Sequence, residues 1–72
     1  MPEIKLLSVV ALLEDFPAKG LQRGQVGTVV EALGSGVYEV EFSDDSGRTY
    51  ASAALRAGQL MQLHHGPGHQ AA

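Results

Sequence analysis

The chain has no cysteine and no tryptophan, and aromatic residues make up 6% of its 72 residues. Without cysteine, neither a disulfide nor a thiolate metal site is available to stabilise the fold. A chain of this length is close to the lower limit for a domain that folds without such support. We therefore expect one domain, with a core of aliphatic residues, Phe and Tyr. A homodimer would relieve the size limit and stays open as an alternative.

Basic residues are few and scattered. Five Lys and Arg stand against eight Asp and Glu, which gives a net charge of −3 and a pI of about 5.4. A protein that binds nucleic acid through phosphates is expected to carry a basic patch. The charge balance therefore argues against nucleic acid, and against an anionic membrane surface, as the partner.

Long hydrophobic runs are also missing. The longest, residues 4–13, is interrupted by Lys5 and ends at Glu14, and it is far shorter than the roughly 20 residues of a membrane span. Glu3 in front of it does not fit a signal peptide. We predict a first strand over residues 7–13 in a cytoplasmic protein that has no membrane partner.

Two runs rich in β-branched residues, 26–33 and 37–42, are joined by Gly34-Ser35-Gly36, which is typical of a β-hairpin. In the second run, Tyr38, Val40 and Phe42 alternate with Glu39 and Glu41, so one face is expected in the core and the other in water. The glycines at 24 and 27 suit a sharply bent strand. The predicted fold is a small, five-stranded, mostly antiparallel SH3-like β-barrel.

The remaining segments complete this prediction. Residues 14–23 form a loop anchored by Phe16 and Leu21, residues 48–51 a fourth strand, residues 53–58 a helical or 3-10 turn, and residues 60–63 the last strand. The barrel domain covers residues 1–63, and residues 64–72 are expected to be a disordered tail. The predicted core includes Val10, Leu12, Val30, Val40, Phe42 and Leu55. The register of residues 26–33 depends on whether a bulge interrupts the strand.

With these residues placed, the chain resembles the bacterial domain-of-unknown-function family 4926. The resemblance lies in Gly24, Gly27, Thr28-Val29-Val30-Glu31, Tyr38-Glu39-Val40-Glu41-Phe42, Gly47-Arg48-Thr49 and the strands around them. It covers roughly residues 6–63. The resemblance implies an SH3-like fold and carries no established activity.

Catalytic and metal sites find little support. His64, His65 and His69 lie in the Gly-Pro-Gly tail, where ordered ligand geometry is not expected, so we predict no metal site and no cofactor. The acidic pairs Glu14-Asp15 and Asp44-Asp45 fall in a loop and a turn, where solvated side chains are the ordinary case. We therefore predict a protein that is not an enzyme.

Two surfaces are candidates for binding a partner. Glu31, Glu39 and Glu41 predict an acidic outer face, which is either a docking surface for a basic partner or a solubilising face. The loop over residues 14–23 either lines a groove or closes the end of the barrel. The candidate partner-binding residues are Phe16, Pro17, Leu21, Arg23, Glu39 and Glu41.

These surfaces predict a protein-interaction module, such as an antitoxin- or immunity-like protein that masks a basic partner protein. Two alternatives remain open. One is a nucleic-acid-binding barrel of the KOW type that uses Lys19, Arg23 and Arg48. The other is a self-assembling barrel.

Overall fold

The computed structural model describes residues 4–64. Five antiparallel strands form one sheet in the order β4-β3-β2-β1-β5. The strands are β1 (Val9–Leu12), β2 (Val26–Gly34), β3 (Val37–Ser43), β4 (Thr49–Arg56) and β5 (Leu60–Gln62). Short 3-10 helices cover Pro17–Lys19 and Ala57–Gln59. The predicted five-stranded all-β fold is confirmed.

The sheet curls around its core. β4 and β5 are the two edge strands, yet the 3-10 helix Ala57–Gln59 is all that separates them along the chain. Leu55 of β4 and Leu60 of β5 are both buried in the same cluster as Val10 of β1. Within the described residues no β-ladder joins β4 to β5, so the sheet is open and a closed barrel is not shown.

The β2–β3 hairpin has the predicted two-faced pattern. Tyr38, Val40 and Phe42 are buried, whereas Glu39 and Glu41 are half-buried on the other face. Ser35 and Gly36 form the two-residue turn, with φ values of 55° and 74°. Positive φ at both central residues matches the right-handed twist of the flanking strands, which is why this turn closes a tight hairpin.

The prediction that Val30 is buried was wrong. Val29 is fully buried and Val30 is half-exposed. The register shifts between the pairs Val29↔Val40 and Glu31↔Glu39, so Val30 is an extra residue in β2. A β-bulge of this kind moves the following side chains to the opposite face. The fully or almost fully buried core is Val10, Leu12, Leu21, Val29, Tyr38, Val40, Phe42, Ala53, Leu55 and Leu60.

Two element boundaries also differ from the sequence predictions. β4 continues to Arg56, so residues 53–56 are strand and the 3-10 turn begins at Ala57. Alanine favours helix, but pairing of Ala53 with Val40 and of Leu55 with Tyr38 puts both side chains in the core, and tertiary packing overrides propensity.

The first strand is shorter than predicted and starts at Val9, after Leu7 adopts a left-handed conformation. No helix in residues 4–64 is long and apolar enough to cross a membrane. The predicted tail disorder concerns residues that lie, apart from His64, outside the described part of the chain.

Candidate functional site

Three glutamates lie together on the outer face of the sheet, and we call Glu31, Glu39 and Glu41 the acidic row. Glu31 of β2 is directly opposite Glu39 of β3, and Glu41 is two residues further along β3, opposite Thr28. Because side chains alternate across a strand, Glu39 and Glu41 point to the same face. The bulge at Val30 brings Glu31 into this row.

Like charges face each other in the acidic row. Glu31 is exposed, and Glu39 and Glu41 are half-buried. On the other side of β3, Glu39 pairs with Ala54 and Glu41 pairs with Ser52, so small side chains flank the carboxylates there. Like charges placed directly opposite in a sheet are destabilising. The row therefore gives a concentrated negative surface that does not serve the stability of the fold.

The loop between β1 and β2 is well defined by its own backbone. Phe16 and Leu21 exchange two backbone hydrogen bonds, with N···O distances of 2.8 and 3.1 Å, across the 3-10 helix Pro17–Lys19. Oδ1 of Asp15 accepts a hydrogen bond from the backbone N–H of Arg23 at 2.9 Å. The Phe16–Leu21 pair and the Asp15–Arg23 bond each connect the two arms of the loop. They limit the freedom of the loop to change shape around a ligand.

The same loop is fixed to the second 3-10 helix through Gln59. The side-chain amide of Gln59 donates to Oε2 of Glu14 at 3.1 Å, and its Oε1 accepts the backbone N–H of Arg56 at 2.8 Å. The Gln59 carbonyl accepts the N–H of Leu13 at 2.9 Å. One side chain and its backbone thus join the end of β1 to the end of β4.

The candidate residues of the loop divide between surface and core. Leu21 is 2% exposed and Phe16 packs against the core, so both act as the anchors that the sequence predicted. Pro17 and Arg23 are exposed. An open cavity of about 280 Å³ is lined by Asp15, Pro17, Gly20, Leu21 and Gln22. The loop ends at β2, whereas the acidic row is centred on β3, so the candidate residues form two separate surfaces.

One hydrogen bond joins the two segments that carry Arg23 and Arg48, two of the basic residues of the nucleic-acid alternative. The side-chain amide of Gln25 donates to the Tyr50 hydroxyl at 2.9 Å, which joins the end of the loop to the start of β4. Arg23 and Arg48 each lie two residues from this contact. Tyr50 is 49% exposed. An exposed aromatic ring is a group that can stack on a nucleic-acid base.

Asp44 organises the turn between β3 and β4. Its Oδ1 accepts hydrogen bonds from the Ser46 hydroxyl at 2.7 Å and from the backbone N–H groups of Ser46 and Arg48, each at 3.0 Å. Hydrogen bonding to the charged form, chiefly from the Ser46 side chain, lowers the pKa of Asp44. Asp44 thus has a structural role in the turn.

The sequence analysis did not single out Leu6 and Leu7, which the structure places in an exposed turn before β1. Leu6 is 57% exposed and Leu7 is 74% exposed, and Leu7 has a φ of 69°. The sequence carries no signal for this conformation, because glycine is the residue that ordinarily marks positive φ.

No group of three or more His, Asp or Glu side chains within residues 4–64 is arranged to hold a metal ion. His64 is exposed at the end of this range, and His65 and His69 lie beyond it. The predictions about the histidine tail therefore stay untested.

Comparison with known proteins gives one match. The family model described as "Domain of unknown function (DUF4926)" matches residues 6–62. No curated protein and no solved structure matches the chain. The matched range includes all five strands, the loop and the acidic row.

Proposed function

The chain belongs to the DUF4926 family, and we propose that it is a non-enzymatic protein-interaction module that binds a basic partner protein through the acidic row. The observation that carries the proposal is the direct pairing of Glu31 with Glu39, beside Glu41. A complementary positive surface would remove the repulsion between these carboxylates and would speed association.

The cellular setting and the fold type of the module are also part of the proposal. We propose a bacterial cytoplasmic protein with an SH3-like arrangement of its curled sheet. The lack of cysteine fits a reducing compartment. An antitoxin- or immunity-like role, in which the acidic row covers a phosphate-binding surface of its partner, is the specific form that we favour, because carboxylates can occupy sites built for anions.

The test compares charge reversals at two places. The wild type, Glu39→Lys and Asp45→Lys are used to capture proteins from a lysate of the native host, and the captured protein is purified and titrated against each variant. Asp45 is an exposed carboxylate in the β3–β4 turn, so its reversal changes the net charge equally. We expect a basic partner that binds wild type and Asp45→Lys and is lost with Glu39→Lys. If Glu39→Lys binds the same partner as tightly as wild type, the proposal fails.

A second candidate function is supported by the exposed ring of Tyr50 and its contact with Gln25, which joins the segments that carry Arg23 and Arg48. In this alternative, single-stranded nucleic acid stacks on Tyr50 and its phosphates bind the two arginines. Binding of an oligonucleotide should then weaken steeply as salt rises. The double variant Arg23→Glu/Arg48→Glu should abolish it, and Glu39→Lys should not.

A further inference from the structure

The turn that contains Leu7 is a β-bulge with an unusual residue. The N–H of Leu7 donates to the carbonyl of Val29 at 2.7 Å, and the N–H of Val29 donates to the carbonyl of Ser8 at 2.9 Å. Two consecutive residues, Leu7 and Ser8, thus face a single residue of β2. In bulges of this geometry the first residue is in the left-handed region and is ordinarily glycine. Here it is a leucine with a φ of 69°.

Contacts within residues 4–64 do not explain the leucine. A bulky side chain in the left-handed region is disfavoured, and such strain persists where something else compensates for it. The Leu7 side chain is 74% exposed, so burial in the core gives little compensation, and the neighbouring Leu6 is 57% exposed. Glycine would form the same backbone hydrogen bonds without strain. Burial in the core therefore gives no reason for a leucine at this position.

Leu7 and the acidic row are both connected to the strand β2. Leu7 is hydrogen-bonded to Val29 from the β1 side of β2, and Glu31, two residues after Val29, pairs with Glu39 on the β3 side. An exposed apolar pair and a negative row thus flank the same short segment of β2. Interfaces commonly combine an apolar anchor with a polar rim.

We propose that Leu6 and Leu7 are the apolar anchor of a docking surface whose charged part is the acidic row. This inference rests on the proposed function and specifies the partner's contact segment, in which an apolar side chain is flanked by Lys or Arg. A second copy of this chain is a poor occupant, because it brings another acidic row and another net charge of −3. Charge complementarity instead selects a basic segment.

The test uses a display library of random 12-residue peptides, panned on the full-length wild-type protein. We expect enrichment of sequences in which an apolar residue has Lys or Arg on both sides. One enriched peptide is synthesised, and its dissociation constant is measured for wild type, Leu7→Gly, Glu39→Lys and Met61→Ala. Met61 is a matched control, because it is 52% exposed on the edge strand β5.

Leu7→Gly should weaken peptide binding about tenfold or more, as expected for loss of an anchor side chain, while its unfolding midpoint stays equal to or above that of wild type. Met61→Ala should bind like wild type. If Glu39→Lys loses the peptide and Leu7→Gly keeps it, the anchor is wrong and the proposed function stands. If no basic peptide is enriched, the inference about the anchor and the proposed function are both wrong. A lowered unfolding midpoint in Leu7→Gly would show that Leu7 packs within the fold, and would also overturn the inference.

Discussion

Gly27 lies against Val40 so closely that a Cβ atom added to the glycine would be 2.7 Å from Cγ1 of Val40. The same atom would lie 2.8 Å from the carbonyl oxygen of Glu41 and 3.0 Å from the Phe42 ring. Gly27 is buried between β1 and β3, where it pairs with Val10 and Phe42. The close approach of β3 at this point depends on the missing side chain.

Gly27→Ala is therefore expected to destabilise the fold by about 1–3 kcal/mol, because the backbone of β3 has to move to admit the methyl group. Urea unfolding followed by circular dichroism measures the change. Gly58→Ala is the control, since nothing lies within 4 Å of a Cβ there, and it should stay within about 0.5 kcal/mol of wild type. Equal effects of the two substitutions would contradict the close approach.

The register of β2, in which Val29 pairs with Val40, predicts different effects for two adjacent valines. Threonine has nearly the shape of valine but carries a hydroxyl group, so Val29→Thr buries a polar group in the core and should cost about 1–3 kcal/mol. Val30 is half-exposed, and Val30→Thr should be close to neutral. Chemical denaturation of both variants reports the register directly. A larger loss of unfolding free energy for Val30→Thr than for Val29→Thr would show that Val30, and not Val29, faces the core.

Leu21 connects the loop to the core. It is 2% exposed, and Leu21→Ala should destabilise the protein by about 2–5 kcal/mol through lost burial and a cavity. Leu33→Ala removes the same atoms from a side chain that is 47% exposed and should cost much less. Thermal unfolding of the two variants compares them. Similar losses would mean that the loop does not contribute to the core.

The turn at Asp44 predicts a dependence of stability on pH. Its pKa is lowered from 3.8 in the folded protein by hydrogen bonds to the carboxylate, first of all from Ser46. The unfolded chain therefore takes up the proton first as the pH falls, so the stabilising contribution of Asp44 is full above 3.8 and is lost as the pH drops through the lower folded value. Urea unfolding at neutral pH and at about pH 3 measures the unfolding free energies of wild type and Asp44→Asn. The difference between the two should be smaller at the lower pH. Asp45→Asn is the control, because the Asp45 carboxylate receives none of these hydrogen bonds. If the difference between wild type and Asp44→Asn is the same at both pH values, Asp44 does not couple stability to pH.

Reversing one charge in the acidic row should not harm the fold. In Glu39→Lys, the introduced lysine lies directly opposite Glu31. A pair of opposite charges at such positions stabilises a sheet by about 0.2–1 kcal/mol. The unfolding free energy at low salt should rise, and the gain should shrink as salt is added. A loss of stability would show that Glu39 contributes to the fold and that the row is not reserved for a partner.

The local sequence pattern was sufficient to predict the β2–β3 hairpin. The alternation of Tyr38, Val40 and Phe42 with two glutamates has the period of a strand, and Ser35 and Gly36 form the turn between the strands. Both patterns depend on residues that are close in sequence, so they predict the hairpin without knowledge of the rest of the fold. The alanines of β4 misled the prediction because their preference for helix is a local property, whereas their pairing with β3 is not.

The candidate site could be predicted in part. Glu39 and Glu41 share a face by simple alternation, and Phe16 and Leu21 were recognisable as loop anchors from their apolar character. The sequence also placed Glu31 on this face, but it did not predict the β-bulge through which Glu31 pairs with Glu39, or the left-handed conformation of Leu7. Neither irregularity has a reliable signature in the order of the residues.

The amino-acid sequence by itself determined the all-β class, the central hairpin, the family and five of the six core residues that we predicted, because each depends on composition or on a period of two along one strand. Tertiary structure alone decided which of Val29 and Val30 is buried, how far β4 extends, and that Leu7 and the acidic row are both connected to β2. These features depend on backbone hydrogen bonds and packing between segments far apart in the chain, and local preference is too weak to specify them.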